Sequence, residues 1–192
     1  LKLGGDLTKL GFEIKKFNIN KLPGKPCIAN FKNNSNNDNY EFAITGSQDF
    51  NSVGSIDKIE QKRVIKIEKL QTPKMSFSGS IAFEKDNISA NIFGDYLDLA
   101  DYDLFQLLKK ERSNNGLDLD VYFSKVMLKN SQQLKKLDIK MHCDKTKCYA
   151  GRIIASSSEN FISAFLESDN DAETWRVTTQ NAGLFFKGLG LY

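Results

Sequence analysis

From Met75 to Ile92 the chain alternates with a period of two, breaks once at Lys85-Asp86-Asn87, and alternates again. Met75, Phe77, Gly79, Ile81 and Phe83 are separated by Ser76, Ser78, Ser80 and Ala82, and Ile88, Ala90 and Ile92 by Ser89 and Asn91. Successive side chains of a strand point to opposite faces, so this stretch predicts a hairpin with one apolar and one wettable face.

The rhythm resumes after Gly116. Leu117, Leu119, Val121 and Phe123 share one parity, followed by Leu137, Ile139, Met141 and Cys143, then by 148–156, 161–167 and 175–179. The turns between these runs are short. They predict antiparallel neighbours, because a parallel pair needs a longer crossover. Upstream, 27–31 and 40–45 read as strands joined by a loop over 32–39, whose Asn and Ser side chains favour turns. Phe12, Ile14, Phe17 and Ile19 change parity at Lys15-Lys16, which predicts a bulged strand. Two stretches carry helical spacing instead. Leu104, Phe105, Leu107 and Leu108 fit an amphipathic helix over 101–112, ended by Asn114-Asn115-Gly116. Ala182, Phe185, Phe186 and Leu189 fit a second short helix, with Asn181 as N-cap and Gly190 as terminator. The fold expected is mainly β: a curved, mostly antiparallel multi-stranded sheet, groove-like or open-barrel-like, with two short α-helices. The chain reads as a single β-rich unit over 1–192 with a candidate sub-boundary near 113–116.

Charge excludes more than it assigns. A net charge of +3 names no partner, and the lysines and acids mixed through 57–74 and 109–120 read as solvated faces rather than a nucleic-acid track. No nucleic-acid partner is expected. No run approaches the roughly 18 apolar residues of a membrane-spanning helix.

Catalytic patterns are weak, and no enzyme activity, cofactor or metal is expected. Alternation places His142, the single histidine, on the polar face with Asp138 and Lys140, and His142, Cys143 and Cys148 are too few and wrongly spaced for structural zinc. Cys143 and Cys148 bracket a four-residue hairpin loop, Asp144-Lys-Thr-Lys147. In an oxidising compartment that arrangement suits a disulfide; elsewhere they are reduced strand cysteines, and Cys27 is a small buried apolar residue in either case. Trp175 and Phe77, Phe83, Phe123, Phe161, Phe165, Phe185 and Phe186 fit either an ordinary core or a ligand surface.

The segment from Trp175 to Tyr192, a strand followed by Asn181-Ala182-Gly183, a short apolar helix and Gly190-Leu191-Tyr192, resembles a segment near the C-terminus of AsmA-like envelope proteins, including the YhdP and TamB types. A weaker similarity covers Met75 to Leu99. The family pattern reads Asp-Ala-Gly at the helix start and continues past the tyrosine, and with Leu1 at the beginning this leads to the expectation that the chain is a piece of a longer protein. The resemblance implies a periplasmic location at a Gram-negative envelope, a parent anchored in the inner membrane, and assistance to phospholipid transfer between inner and outer membranes.

In that reading the partners are phospholipid acyl chains, the remainder of the parent chain and other envelope proteins. A sheet that is apolar on one face would line the lipid path with Met75, Phe77, Ile81, Phe83, Ile88, Ile92, Leu119, Val121, Phe123, Ile139 and Met141. The rival reading from the same residues is a non-catalytic structural or interaction module whose apolar faces pack on one another.

Overall fold

The computed structural model describes residues 2–14, 19–34, 38–46, 50–101, 115–158, 160–168, 172–183 and 187. Among these residues the strands are β1 (Lys2–Asp6), β2 (Phe12–Ile14), β3 (Ile19–Lys21), β4 (Cys27–Asn34), β5 (Asn39–Gly46), β6 (Asn51–Ile59), β7 (Lys62–Gln71), β8 (Met75–Phe83), β9 (Asn87–Asp98), β10 (Gly116–Phe123), β11 (Val126–Met127), β12 (Gln133–Leu134), β13 (Lys136–Cys143), β14 (Cys148–Ser156), β15 (Phe161–Ser168) and β16 (Glu173–Thr179). Twelve of them run side by side in the order β1-β4-β5-β6-β7-β8-β9-β10-β13-β14-β15-β16, and β11 and β12 branch from this path. The ends of the order are different strands that do not pair, so the sheet is open.

The predicted hairpin forms as β8 and β9, with Phe83 opposite Ile88 and Ile81 opposite Ala90. Strands β10, β13, β14, β15 and β16 form the expected antiparallel meander. One pair departs from it: β9 and β10 are parallel. A parallel pair requires the chain to return to the end where it started, and the return is the connection over 99–115. The helix predicted for 101–112 falls there, with Leu104, Phe105, Leu107 and Leu108 outside the described residues. The candidate boundary near 113–116 lies in the same connection, and strands on either side of it belong to one sheet. Of the second predicted helix only Ala182, Gly183 and Lys187 are described, and Phe185, Phe186 and Leu189 lie outside. Ala182, Gly183 and Lys187 have helical backbone, but no complete helix stands among the described residues at either place.

Two local expectations are corrected. The ladder extends into both ends of the loop predicted over 32–39, because β4 and β5 pair as far as Asn33 with Tyr40 and Asn34 with Asn39, and 35–37 lie outside the described residues. Ladder bonds are made by backbone groups, so an Asn-rich run extends a strand wherever a neighbour holds it. The parity change near Lys15 is resolved by reversal of the chain: β2 and β3 form a separate antiparallel pair, with Ile14 opposite Ile19, and residues 15–18 lie outside the described set.

The core sits at one end of the sheet. Between β10 and β13 the chain runs past Phe123 as a hairpin excursion that stays in the sheet: β11 pairs β9 in the register of β10, a 3-10 turn at Lys129–Ser131 follows, and β12 pairs β11 in the register of β13. This excursion buries Val126, Leu128 and Leu134 in one cluster with Phe123, Ala155 and Ile162, with Phe77, Ile92, Leu97, Leu99, Val121 and Leu137 packed around them. The Phe123 ring lies over Gly94, where a Cβ would stand 2.0 Å from its Cε1, so only glycine admits the ring at that place.

Candidate functional site

The register joins the apolar positions of separate strands into rows. Leu3, Phe31, Phe42, Gly54, Ile67, Gly79, Ile92, Val121, Ile139, Ile153, Ala164 and Val177 stand opposite one another across all twelve strands. A second row runs Tyr40, Ile56, Ile65, Ile81, Ala90, Leu119, Met141, Gly151, Leu166 and Trp175. A third runs Leu70, Phe77, Gly94, Phe123, Leu137, Ala155 and Ile162, and a short fourth Phe83, Ile88, Leu117 and Cys143. Residues opposite one another in a ladder share a face. The residues of these rows carry no charge, but the fourth continues from Phe83 to Arg63 and then Lys58, so charge enters the apolar face at that strand end.

Phe77, Ile81, Phe83, Ile88, Ile92, Leu119, Val121, Phe123, Ile139 and Met141 therefore lie on one face, with Met75 two residues before Phe77 on the same strand. Their surroundings differ. Phe123 and Met75 are buried, and Phe77, Ile92 and Val121 pack against the core at the β10–β13 excursion. Ile81, Ile88, Leu119, Ile139 and Met141 are only partly buried, and Phe83 is exposed. Gly151 on this face receives the Trp175 indole, whose Cη2 would lie 2.7 Å from a Cβ there.

The other face is polar along its whole width. Its central row reads Lys2, Lys32, Glu41, Ser55, Lys66, Ser80, Asn91, Asp120, Lys140, Arg152, Phe165 and Arg176. Neighbouring strands are linked there by ion pairs: Lys66 to Asp57 at 3.0 Å, Lys140 to Asp120 at 2.7 Å, Arg152 to Asp138 at 3.1 Å and Arg176 to Glu167 at 3.1 Å. Exposed pairs of this kind add little stability, but they hold the face in water. Phe161 and Phe165 stand on this side and are exposed, while Ile162, Ala164 and Leu166 between and beyond them are buried. The aromatics named from the sequence thus divide between the two faces, and Phe185 and Phe186 lie outside the described residues.

A concavity of about 780 Å³ lies over the polar face, where Ser80, Ser89 and Asn91 meet Asp118, Asp120, Lys140, His142 and Arg152. His142 is exposed and its Nδ1 hydrogen-bonds Asp118, whose other oxygen accepts from Asn87 Nδ2 at 2.7 Å. The His142 bond and then the Asn87 bond hold the Asp118 carboxyl below its ordinary value. In the adjoining turn, Asp144 accepts from the Tyr149 hydroxyl, the Lys147 and Thr146 amides and the Thr146 hydroxyl. The Tyr149 bond, followed by the others, lowers the Asp144 pKa, and the same bond raises that of Tyr149. These acids are each engaged in turn or cross-strand bonds, an arrangement that orders hairpin ends.

Cys143 and Cys148 are disulfide-bonded across the β13–β14 hairpin, where the register places them opposite one another. Cys27 is a buried free thiol at 1% exposure. The alternation of Val126 and Leu128 around Met127 is the signal that would have revealed the strand end beyond β10, but a two-residue strand is too short to be read as one. No family model matches the chain, and no curated protein or solved structure is significantly similar to it.

Proposed function

We propose that this chain is a periplasmic segment of an AsmA-like envelope protein whose apolar sheet face assists phospholipid transfer between the inner and outer membranes of a Gram-negative cell. In this reading the parent is anchored in the inner membrane, and the apolar rows form the lipid path on the face opposite the polar concavity. Acyl chains lie along the rows, each buried CH₂ gaining roughly 0.8 kcal/mol, while the headgroup stays at the wet edge. Similar apolar side chains from strand to strand keep that energy nearly level, so a chain can advance without a deep trap. Transfer of this kind needs no chemical step, cofactor or metal. The observation that carries the reading is the set of uncharged rows crossing up to twelve strands of an open sheet, backed by a mostly polar face tied by cross-strand ion pairs.

A structural or interaction module is favoured by one observation, the filled core at the β10–β13 excursion. The two readings separate on bound lipid. Protein purified from envelope membranes and measured by native mass spectrometry is expected to carry phospholipid, and Leu119→Asp is expected to lose it while Ser80→Asp keeps it, because a charge in hydrocarbon costs several kcal/mol and a charge in water far less. Wild-type protein without lipid, or equal lipid in both variants, would leave the module reading in its place.

A further inference from the structure

The excursion that extends β10 and β13 at one strand end is free of acids: Ser124 to Lys136 contains Lys125, Lys129, Lys135 and Lys136 and no Asp or Glu. Its apolar side chains are turned into the core, and Lys125, Lys135 and Lys136 are exposed. Two of these lysines are held over aromatic rings, Lys125 Nζ 5.6 Å from the centre of Tyr96 and Lys136 Nζ 5.9 Å from the centre of Tyr122. The bordering acids, Asp95 and Asp98, belong to β9. Lysines are matched by acids elsewhere along the strand ends, Lys74 with Asp101 at this same end and Lys62 with Glu84 at 2.7 Å and Lys145 with Asp86 at the opposite one, whereas 124–136 itself holds no charged residue but lysine.

We infer that this lysine–tyrosine end of the sheet docks on an anionic phospholipid surface. Clustered lysines are attracted to anionic headgroups and the attraction grows with each residue added. Tyrosine places an apolar ring and a polar tip at the same depth, the position that aromatic side chains take at membrane interfaces. The protein partner such a patch would otherwise suit, an acidic surface, offers the rings nothing. The inference rests on the lipid-transfer reading for its purpose, since docking at these strand tips sets the row from Leu70 through Phe77 and Phe123 to Ile162 beside the bilayer, but it stands or falls by a separate measurement.

Flotation of the whole chain with vesicles supplies it. Wild-type protein is expected to float with phosphatidylcholine vesicles containing phosphatidylglycerol and not with phosphatidylcholine alone. K125E/K129E/K135E/K136E should bind the anionic vesicles at least tenfold more weakly, from the loss of about four lysine contacts, and the milder replacement of the same four lysines by Gln should fall between. K62E/K85E/K145E/K147E, with the same net charge as the first variant, should bind like wild type. No flotation of the wild type, equal loss in both Glu variants, or binding indifferent to phosphatidylglycerol would overturn the inference. Vesicle binding without lipid on the purified protein would overturn the transfer reading alone, and bound lipid without vesicle binding would overturn docking alone.

Discussion

Leu119 and Phe123 lie on the same strand, four residues apart and on the same apolar face, yet Phe123 is only 4% exposed and Leu119 remains partly open. The residue type does not separate them. What does is the excursion between β10 and β13, whose Val126, Leu128 and Leu134 cluster with Phe123 and not with Leu119. One face thus carries two regimes: a filled end, where apolar side chains hold the fold, and an open stretch, where side chains of the same kind are available to a ligand.

The largest expected effect is at the filled end. Phe123→Ala should lower stability by about 3–5 kcal/mol, as for other large aromatic deletions in a core, read from the urea denaturation midpoint; a change below about 1 kcal/mol would mean that the end is not packed. The hairpin disulfide comes next. Cys143→Ser removes a short closed loop worth about 2 kcal/mol by loop entropy, and the same loss should appear when wild-type protein is denatured under reducing conditions. Leu119→Ala should cost about 1 kcal/mol or less, because part of its surface is already in water. A loss at Leu119 equal to that at Phe123 would break the comparison.

The smallest effect belongs to the polar face. The Asp118 carboxyl is held below its ordinary 3.8, chiefly by the His142 bond, so its contribution to stability is present above that pH and is lost as pH falls through the lower folded-state value. The side chain is 43% exposed, which limits the contribution to a few tenths of a kcal/mol. Asp118→Asn should therefore cost that small amount at pH 7, and nothing once the carboxyl of the wild type is protonated in both states. A loss that persists unchanged in strong acid would show that the pair acts through packing instead.

Much of the site was legible in the sequence. Strict alternation in Met75–Phe83 and Leu117–Phe123 placed the path residues on one parity, and the ladder put those parities on one face. Alternation failed where a bulge interrupts it: between Ile67 and Leu70 the register shifts, so the lysines and acids of β7 read only as a charged stretch. It failed at Asn33 and Asn34, where a neighbouring strand overrides a turn-forming composition. It could not show the parallel step from β9 to β10, because direction depends on the long connection and not on the faces. The division of the face into packed and open parts was equally hidden, since the packed end rests on strands of two residues, too short for their alternation to be read as a strand.

Photo-crosslinking in envelope membranes tests the division most directly. A probe at Ile81, Leu119 or Met141 is expected to form phospholipid adducts, a probe at Ser80 or Asp120 on the polar face is not, and a probe at Phe123 should stay unlabelled within its packed cluster. Absence of adducts at all three open positions in folded protein, or equal labelling of Ser80 and Leu119, would contradict an apolar face that carries lipid.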